Sequence, residues 1–232
     1  MRLAHTLRYD MLFQFRHGFY YAYVFVTVSY VLGLLNIEPG LREPVTTLLL
    51  FSDTAPLGFL FIGAIILLER GQNTLEALFI TPLRLYEFFI SKVVSLMLIS
   101  LLSALAIMLL AHGLFQHAFI FIAGFALSSC FYTLLGLIFS VQAKTVNDYF
   151  ARTVGVGLFI CLPVLGYLEI AKTPLFYLFP TQASIILIEI VFRDVSVLEI
   201  VYAFGTLIAW TVTAAIMAYR SFYKHLILKV GA

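Results

Sequence analysis

Charge is what this sequence has least of: 12 acidic and 14 basic residues in 232, together 11%, where a soluble domain carries about a quarter. That scarcity excludes an ordinary water-soluble globule; a net charge of +2 says little by itself, and no nucleic-acid partner is expected. Cysteine is nearly absent. The two present, Cys130 and Cys161, fall in apolar runs where neither oxidant nor metal is expected, so both read as small packing residues. No lysine follows a glycine, which removes the pattern G-x-x-x-x-G-K and with it a phosphate-cradling loop. There is no H-E-x-x-H, and His112 and His117 lack the helical spacing of a zinc pair. No serine or cysteine stands out as a nucleophile with a base beside it. The chain reads as a non-enzyme without a cofactor or metal of its own.

Apolar residues are what it has in excess, 62% with a mean hydropathy of +1.04. A hydrocarbon core of about 30 Å needs about 20 apolar residues per helix. Six stretches meet that need: residues 19–35, 45–68, 93–111, 118–139, 153–168 and 197–219. The fold class is therefore all-α, a polytopic integral membrane protein of one domain over residues 1–232. Orientation follows from the basic residues. With the N-terminus inside, Arg2, Arg8, Arg16, Arg70, Arg84, Lys92, Lys144, Arg152, Arg220, Lys224 and Lys229 lie on the inner side, and Arg42, Lys172 and Arg193 lie outside. That asymmetry obeys the positive-inside rule and expects both termini in the cytoplasm of a cell-membrane protein. The first apolar run is long for a signal peptide and lacks a small-x-small cleavage site, so it reads as an uncleaved span.

Residues 1–18 mix Leu3, Leu7, Met11, Phe13 and Phe15 with Arg2, Arg8 and Arg16, the pattern of an amphipathic helix on the inner leaflet. In the second span Ser52-Asp53-Thr54-Ala55-Pro56 interrupts the apolar run. Proline removes a backbone donor and disfavours helix before it, so a kink or break is expected there. Asp53 has two readings, a pathway or gating carboxylate or a cap for the helix restarting near Pro56. The fourth span carries Gly124, Ala126, Ser128 and Ser129, which let helices approach closely. The fifth has Gly155, Gly157 and Pro163, a second kinked, closely packed helix. Residues 169–196 are almost as apolar as a span but hold Pro174, Pro180 and Glu189. Crossing the membrane there would spoil the charge asymmetry, so two short re-entrant helices dipping into the outer leaflet and divided at Pro180 are expected.

Residues 69–92, ERGQNTLEALFITPLRLYEFFISK, are the long internal segment suited to water. Leu75, Leu78 and Phe79 share one face of a short helix expected over 72–80. Thr81-Pro82 then stops that helix and caps the next. A six-span protein with such a lever and no energy-converting site must borrow its energy.

Glu69-Arg70, Thr74-Leu75-Glu76, Leu78, Thr81-Pro82, Glu87 and Lys92, in that order and spacing, resemble the cytoplasmic loop of six-span permease subunits of ATP-binding-cassette (ABC) exporters. Within that family, the stretch from Phe51-Ser52-Asp53 through Leu68-Glu69 is similar to fluoroquinolone-export permeases. The resemblance implies a second permease copy or paralogue as partner, and two separately encoded cytoplasmic ATPases holding ATP and Mg. It further implies a coupling helix at 72–80 seated in an ATPase groove, so that Glu69, Thr74, Leu75, Glu76, Leu78, Phe79, Thr81 and Pro82 serve coupling. Spans two and five would line the substrate path, with Asp53, Pro56 and Pro163 as pathway or hinge candidates. The competing functional reading is a passive channel or a solute-binding membrane subunit without export. A third, an intramembrane hydrolase using Asp53 and Glu169, lacks a second carboxylate at comparable depth.

Overall fold

The computed structural model describes residues 2–72, 84–171 and 173–224, and every regular element among them is helical. Helix α1 (Arg2–Arg16) meets α2 (Phe19–Leu35) at a 66° corner. Gly18 makes that corner with a left-handed φ of 82°, which costs glycine little and other residues more. α3 (Pro39–Ser52) opens with proline in its first turn, where the missing N–H is no loss. It runs through a π-helical turn (Asp53–Leu57) into α4 (Gly58–Gly71), giving a 33-residue rod. The span widens at Pro56 and does not break.

After residues 73–83 come α5 (Leu85–Ala111) and α6 (Ala118–Ser140). α7 (Val146–Ile160) is capped by Thr145 Oγ1, which accepts from the Asp148 amide at 3.2 Å. It begins at Val146, whereas the apolar run suggests Thr153, because the polar stretch before Thr153 forms its first two turns. A break at Cys161–Leu162 leads to α8 (Pro163–Tyr167). A 3₁₀ turn (Pro174–Leu178), α9 (Pro180–Glu189) and α10 (Val197–Phe222) complete the chain. Ser196 and Glu199 close a reciprocal capping box on α10.

Five helical stretches are long and apolar enough to cross a membrane: Pro39–Gly71, Leu85–Ala111, Ala118–Ser140, Val146–Tyr167 and Val197–Phe222. The bent α1–α2 pair makes six. Helices such as α5, about 40 Å long at 1.5 Å per residue, are longer than an apolar core of about 30 Å.

α6 is the hub, packed against α4, α5, α7, α9, α10 and the π-turn. Its small residues make this possible. A Cβ on Gly136 would lie 2.4 Å from Ile62 Cγ2 and 2.7 Å from the Phe59 carbonyl oxygen, so α4 and α6 touch backbone to backbone. Ser128, Ser129 and Thr133 are buried on the same helix. Residues 169–196 hold two short helices divided at Pro180, as expected: the 3₁₀ turn and α9. Pro180, Thr181 and the run from Ala183 to Ile188 are buried in protein, against α3, α6 and α10. The apolarity of this segment is that of a core helix. The outward faces of α2, α7 and α10 expose large apolar side chains such as Phe25, Leu158 and Val201.

Candidate coupling and gating site

Of the residues expected to serve coupling, Thr74, Leu75, Glu76, Leu78, Phe79, Thr81 and Pro82 lie outside the described residues, as does the helix expected over 72–80 apart from Gln72. Glu69 is described, and its surroundings are unlike those of a surface loop. It is fully buried in the last turns of α4 and accepts from Lys92 Nζ, itself fully buried on α5. Lys92 also donates to Asp10 Oδ1 of α1 at 2.6 Å. The Ser91 hydroxyl donates to the other Asp10 oxygen. Rings of Phe13 and Phe88 lie 5.7 and 5.3 Å from the ammonium. One cation thus holds two carboxylates from two other helices in a dry site.

A buried ion set of this kind adds little over a well-packed apolar one, but losing one partner costs about 3–5 kcal/mol because the others stay buried and uncompensated. Two further contacts extend the fastening. Gln14 of α1 donates to Ser95 of α5 at 2.7 Å, and Gln72, just past α4, bonds His17 at 3.0 Å. Beside Glu69, Arg70 turns the other way, donating to the Ala143 and Val141 carbonyls at 2.5 and 2.9 Å. The helix before segment 73–83 is therefore tied to α1, α5 and the α6–α7 connection, and the helix after it to α1 and α4.

Asp10 is what sequence reasoning missed. An acid on an amphipathic helix reads as solvated, and nothing local marks Lys92, 82 positions away, as its partner. The signal was the lysine itself, which ends the loop on the edge of an apolar helix.

The second cluster lies around the π-turn. Asp53 is fully buried, and neither carboxylate oxygen has a hydrogen-bond partner among the described residues. It caps nothing: neither the π-turn nor α4 has a side-chain cap. The capping reading of Asp53 is thus excluded, and the buried Tyr23 hydroxyl of α2 likewise lacks a partner among the described residues. Next to Asp53, Ser52 bonds Tyr30 of α2 at 3.0 Å. Two residues beyond, Ala55 and Pro56 face an apolar cavity of about 210 Å³ with Phe59, Tyr132, Gly157 and Cys161 in its walls.

That cavity joins the two irregular spans. Pro163 does not line it, but sets the break that does. Val164 N bonds Cys161 O instead of the carbonyl one turn back, which leaves Ile160 O to accept from Thr181 Oγ1 at 2.7 Å. Thr181 in turn bonds the Tyr132 hydroxyl at 2.9 Å. Tyr149 of α7 donates to the Phe59 carbonyl at 2.5 Å, a contact no sequence pattern announced. The structure brings Pro56 to one cavity with Ile160 and Cys161, at the Cys161–Leu162 break, and Asp53 is not part of its lining. Among the described residues no group of His, Cys, Asp and Glu is placed to hold a metal.

Comparison with known proteins agrees with this architecture. Residues 1–230 match the fluoroquinolones export permease protein family. Two relatives, the fluoroquinolones export permease proteins of Mycobacterium tuberculosis strains CDC 1551/Oshkosh and ATCC 25618/H37Rv, are each 32% identical over 196 residues, 84% of this chain and 83% of theirs.

Proposed function

The chain belongs to the fluoroquinolones export permease family, and on that premise we propose that it is the membrane subunit of an ATP-driven ABC exporter for drug-like, amphipathic compounds, fluoroquinolones among them. Two permease copies, or this chain and a paralogue, alternate access between the membrane faces. Separate cytoplasmic ATPases bind and hydrolyse ATP with Mg. Both termini and segment 73–83 face the cytoplasm, as the distribution of lysine and arginine requires.

One observation supports the mechanical part: the helices entering and leaving the segment assigned to the ATPase are joined by polar contacts, Glu69 of α4 to Lys92 of α5 and Lys92 to Asp10 of α1, while Arg70 of α4 holds the α6–α7 connection. A loop clamped in this way transmits displacement to α1, α4, α5 and α7 together. Leu75, Leu78 and Phe79 supply the greasy surface for the ATPase, each worth up to about 1.5–3 kcal/mol when buried. At the far end of the lever, α3–α4 bends at its π-turn and α7–α8 at its break, around the shared apolar cavity. Asp53, Pro56 and Pro163 belong to these two moving joints. π-turns inside helices are frequent at functional sites and are a recognised cause of helix bending.

Replacing Leu78 and Phe79 together by aspartate tests the coupling role. The variant inserts in the membrane like the parent, loses co-purification with the ATPase and loses export. Retained co-purification removes the coupling assignment, and drug efflux that persists without any ATPase favours a passive channel.

A further inference from the structure

A groove on the other side of the bundle has no part in this scheme. It runs between α5 and α10 over a floor of α6 and has a volume of about 600 Å³; its charged and phenolic groups stand at one end, and Thr211 is the hydroxyl residue of the lining farther along α10. Tyr86, Tyr219 and Arg220 stand at the end nearest segment 73–83, while Val93, Val94 and Ile216 line its depth. Behind it, Phe222 of α10 meets Phe88 and Phe89 of α5 at ring separations of 5.8 and 4.9 Å. These contacts join the two helices at the groove's polar end and leave it open toward the hydrocarbon.

Its charge is one-sided. Arg220 is exposed and has no ion-pair partner among the described residues, and Lys224, four residues on and on the same helical face, is exposed too. Arg84 donates to the Tyr86 hydroxyl at 3.1 Å, with its guanidinium 5.9 Å from the ring centroid. That hydrogen bond, with the phenol and Glu87 nearby, holds the guanidinium pKa above its ordinary value. Among the described residues no acid lines the groove. Glu87, the nearest in sequence, accepts from the Arg84 backbone amide at 2.9 Å.

From Tyr86 to Val94 the groove follows eight residues of α5, about 12 Å. That is close to half of a hydrocarbon core of about 30 Å, the reach of a tail anchored in one leaflet. We propose that the groove is a binding site for an anionic phospholipid of the leaflet on the side of segment 73–83. Its phosphate is held by Arg220 and Arg84 with the tyrosine hydroxyls, and one acyl chain lies between α5 and α10. A second copy of this chain fits poorly, because a two-fold contact through this face sets its basic rim against itself. The occupant would touch α5 at its start, directly after the segment given to the ATPase, and so would influence how far α5 and α10 separate. Only the choice of the cytoplasmic leaflet rests on the proposed orientation, and binding itself is measured without the ATPase.

The test uses the full chain purified in detergent, offered equal amounts of phosphatidylglycerol and phosphatidylcholine, washed, and read by native mass spectrometry. The expected result is one phosphatidylglycerol retained per chain and no phosphatidylcholine. Arg220→Gln with Arg84→Gln lowers retention at least tenfold, whereas Lys144→Gln, in the α6–α7 connection, leaves it unchanged. Ala215→Trp, which fills the groove with both arginines in place, lowers it comparably while the thermal midpoint stays near that of the parent. Equal retention of phosphatidylcholine, or an unaffected double arginine variant, overturns the proposal. Full retention in a folded Ala215→Trp protein overturns it as well, since binding would then be a surface attraction without a tail slot.

Discussion

Two fully buried acids on the same rod, Glu69 and Asp53, have opposite surroundings. They are 16 residues apart, about 24 Å along a helix. Glu69 meets Lys92, which meets Asp10, so three helices share one compensated ionic knot. Asp53 meets no hydrogen-bond donor among the described residues and sits where the helix has already left α geometry. Burial without compensation is costly for a carboxylate, and a π-turn with a proline holds its helix less tightly than an unbroken ladder. The difference teaches a division of labour within one rod. On the proposed function, the fastened end toward the loop would move as a body, and the middle, where Asp53 has no hydrogen-bond partner among the described residues, would be the part that changes shape.

The strongest way to break this comparison is Lys92→Met. It preserves length and apolar volume but leaves two carboxylates facing each other in a dry site, at an expected cost of about 3–5 kcal/mol. The thermal midpoint of the purified protein should fall, and α1 should become open to protease at Arg8. Neutralising all three positions, Asp10→Asn, Glu69→Gln and Lys92→Met together, should restore most of the loss. A single variant as stable as the parent would show that the knot fastens nothing.

A smaller effect is expected of Glu69→Gln. The Asp10–Lys92 pair survives at 2.6 Å, so the loss is that of one charge-assisted hydrogen bond, about 1.5–3 kcal/mol. Here the midpoint should fall less than in Lys92→Met. Export per folded molecule should still drop, because α4 is then tied to α5 by a neutral contact. If Glu69→Gln destabilises as much as Lys92→Met, the knot depends on total charge and not on the single cation.

The two acids were not equally legible before the structure. The apolar runs marked the candidate spans, five long helices and a sixth if the bent α1–α2 pair counts as one, because hydrocarbon tolerates few other patterns. Glu69 and Lys92 stood out as charges at the two edges of a polar segment. That they meet each other, and that Asp10 closes the knot, depends on α1 folding back at Gly18, a tertiary fact with no local periodicity. Asp53 was conspicuous as an acid beside a proline in an apolar run. Its isolation was not, because a cap and an orphan look alike until the neighbours are placed. The same holds for α9, whose apolar residues 180–188 suit lipid and protein equally and were settled by packing against α3, α6 and α10.

Asp53→Asn carries the smallest expected change in stability and the sharpest test of the contrast. The amide is nearly the same size as the carboxylate, and among the described residues the side chain has no hydrogen bond to lose. Replacing a carboxyl that has no hydrogen-bond partner among the described residues should therefore leave the thermal midpoint unchanged or raise it, within about 1 kcal/mol. If the carboxylate matters to the moving state, export per folded molecule should fall about tenfold, an energy of about 1.4 kcal/mol. The two readouts must separate: stability kept, transport lost. Should both fall together, Asp53 is part of the scaffold after all. Should neither change, the π-turn bends without help from its acid, and the burden of shape change passes to Pro56 and the break before Pro163.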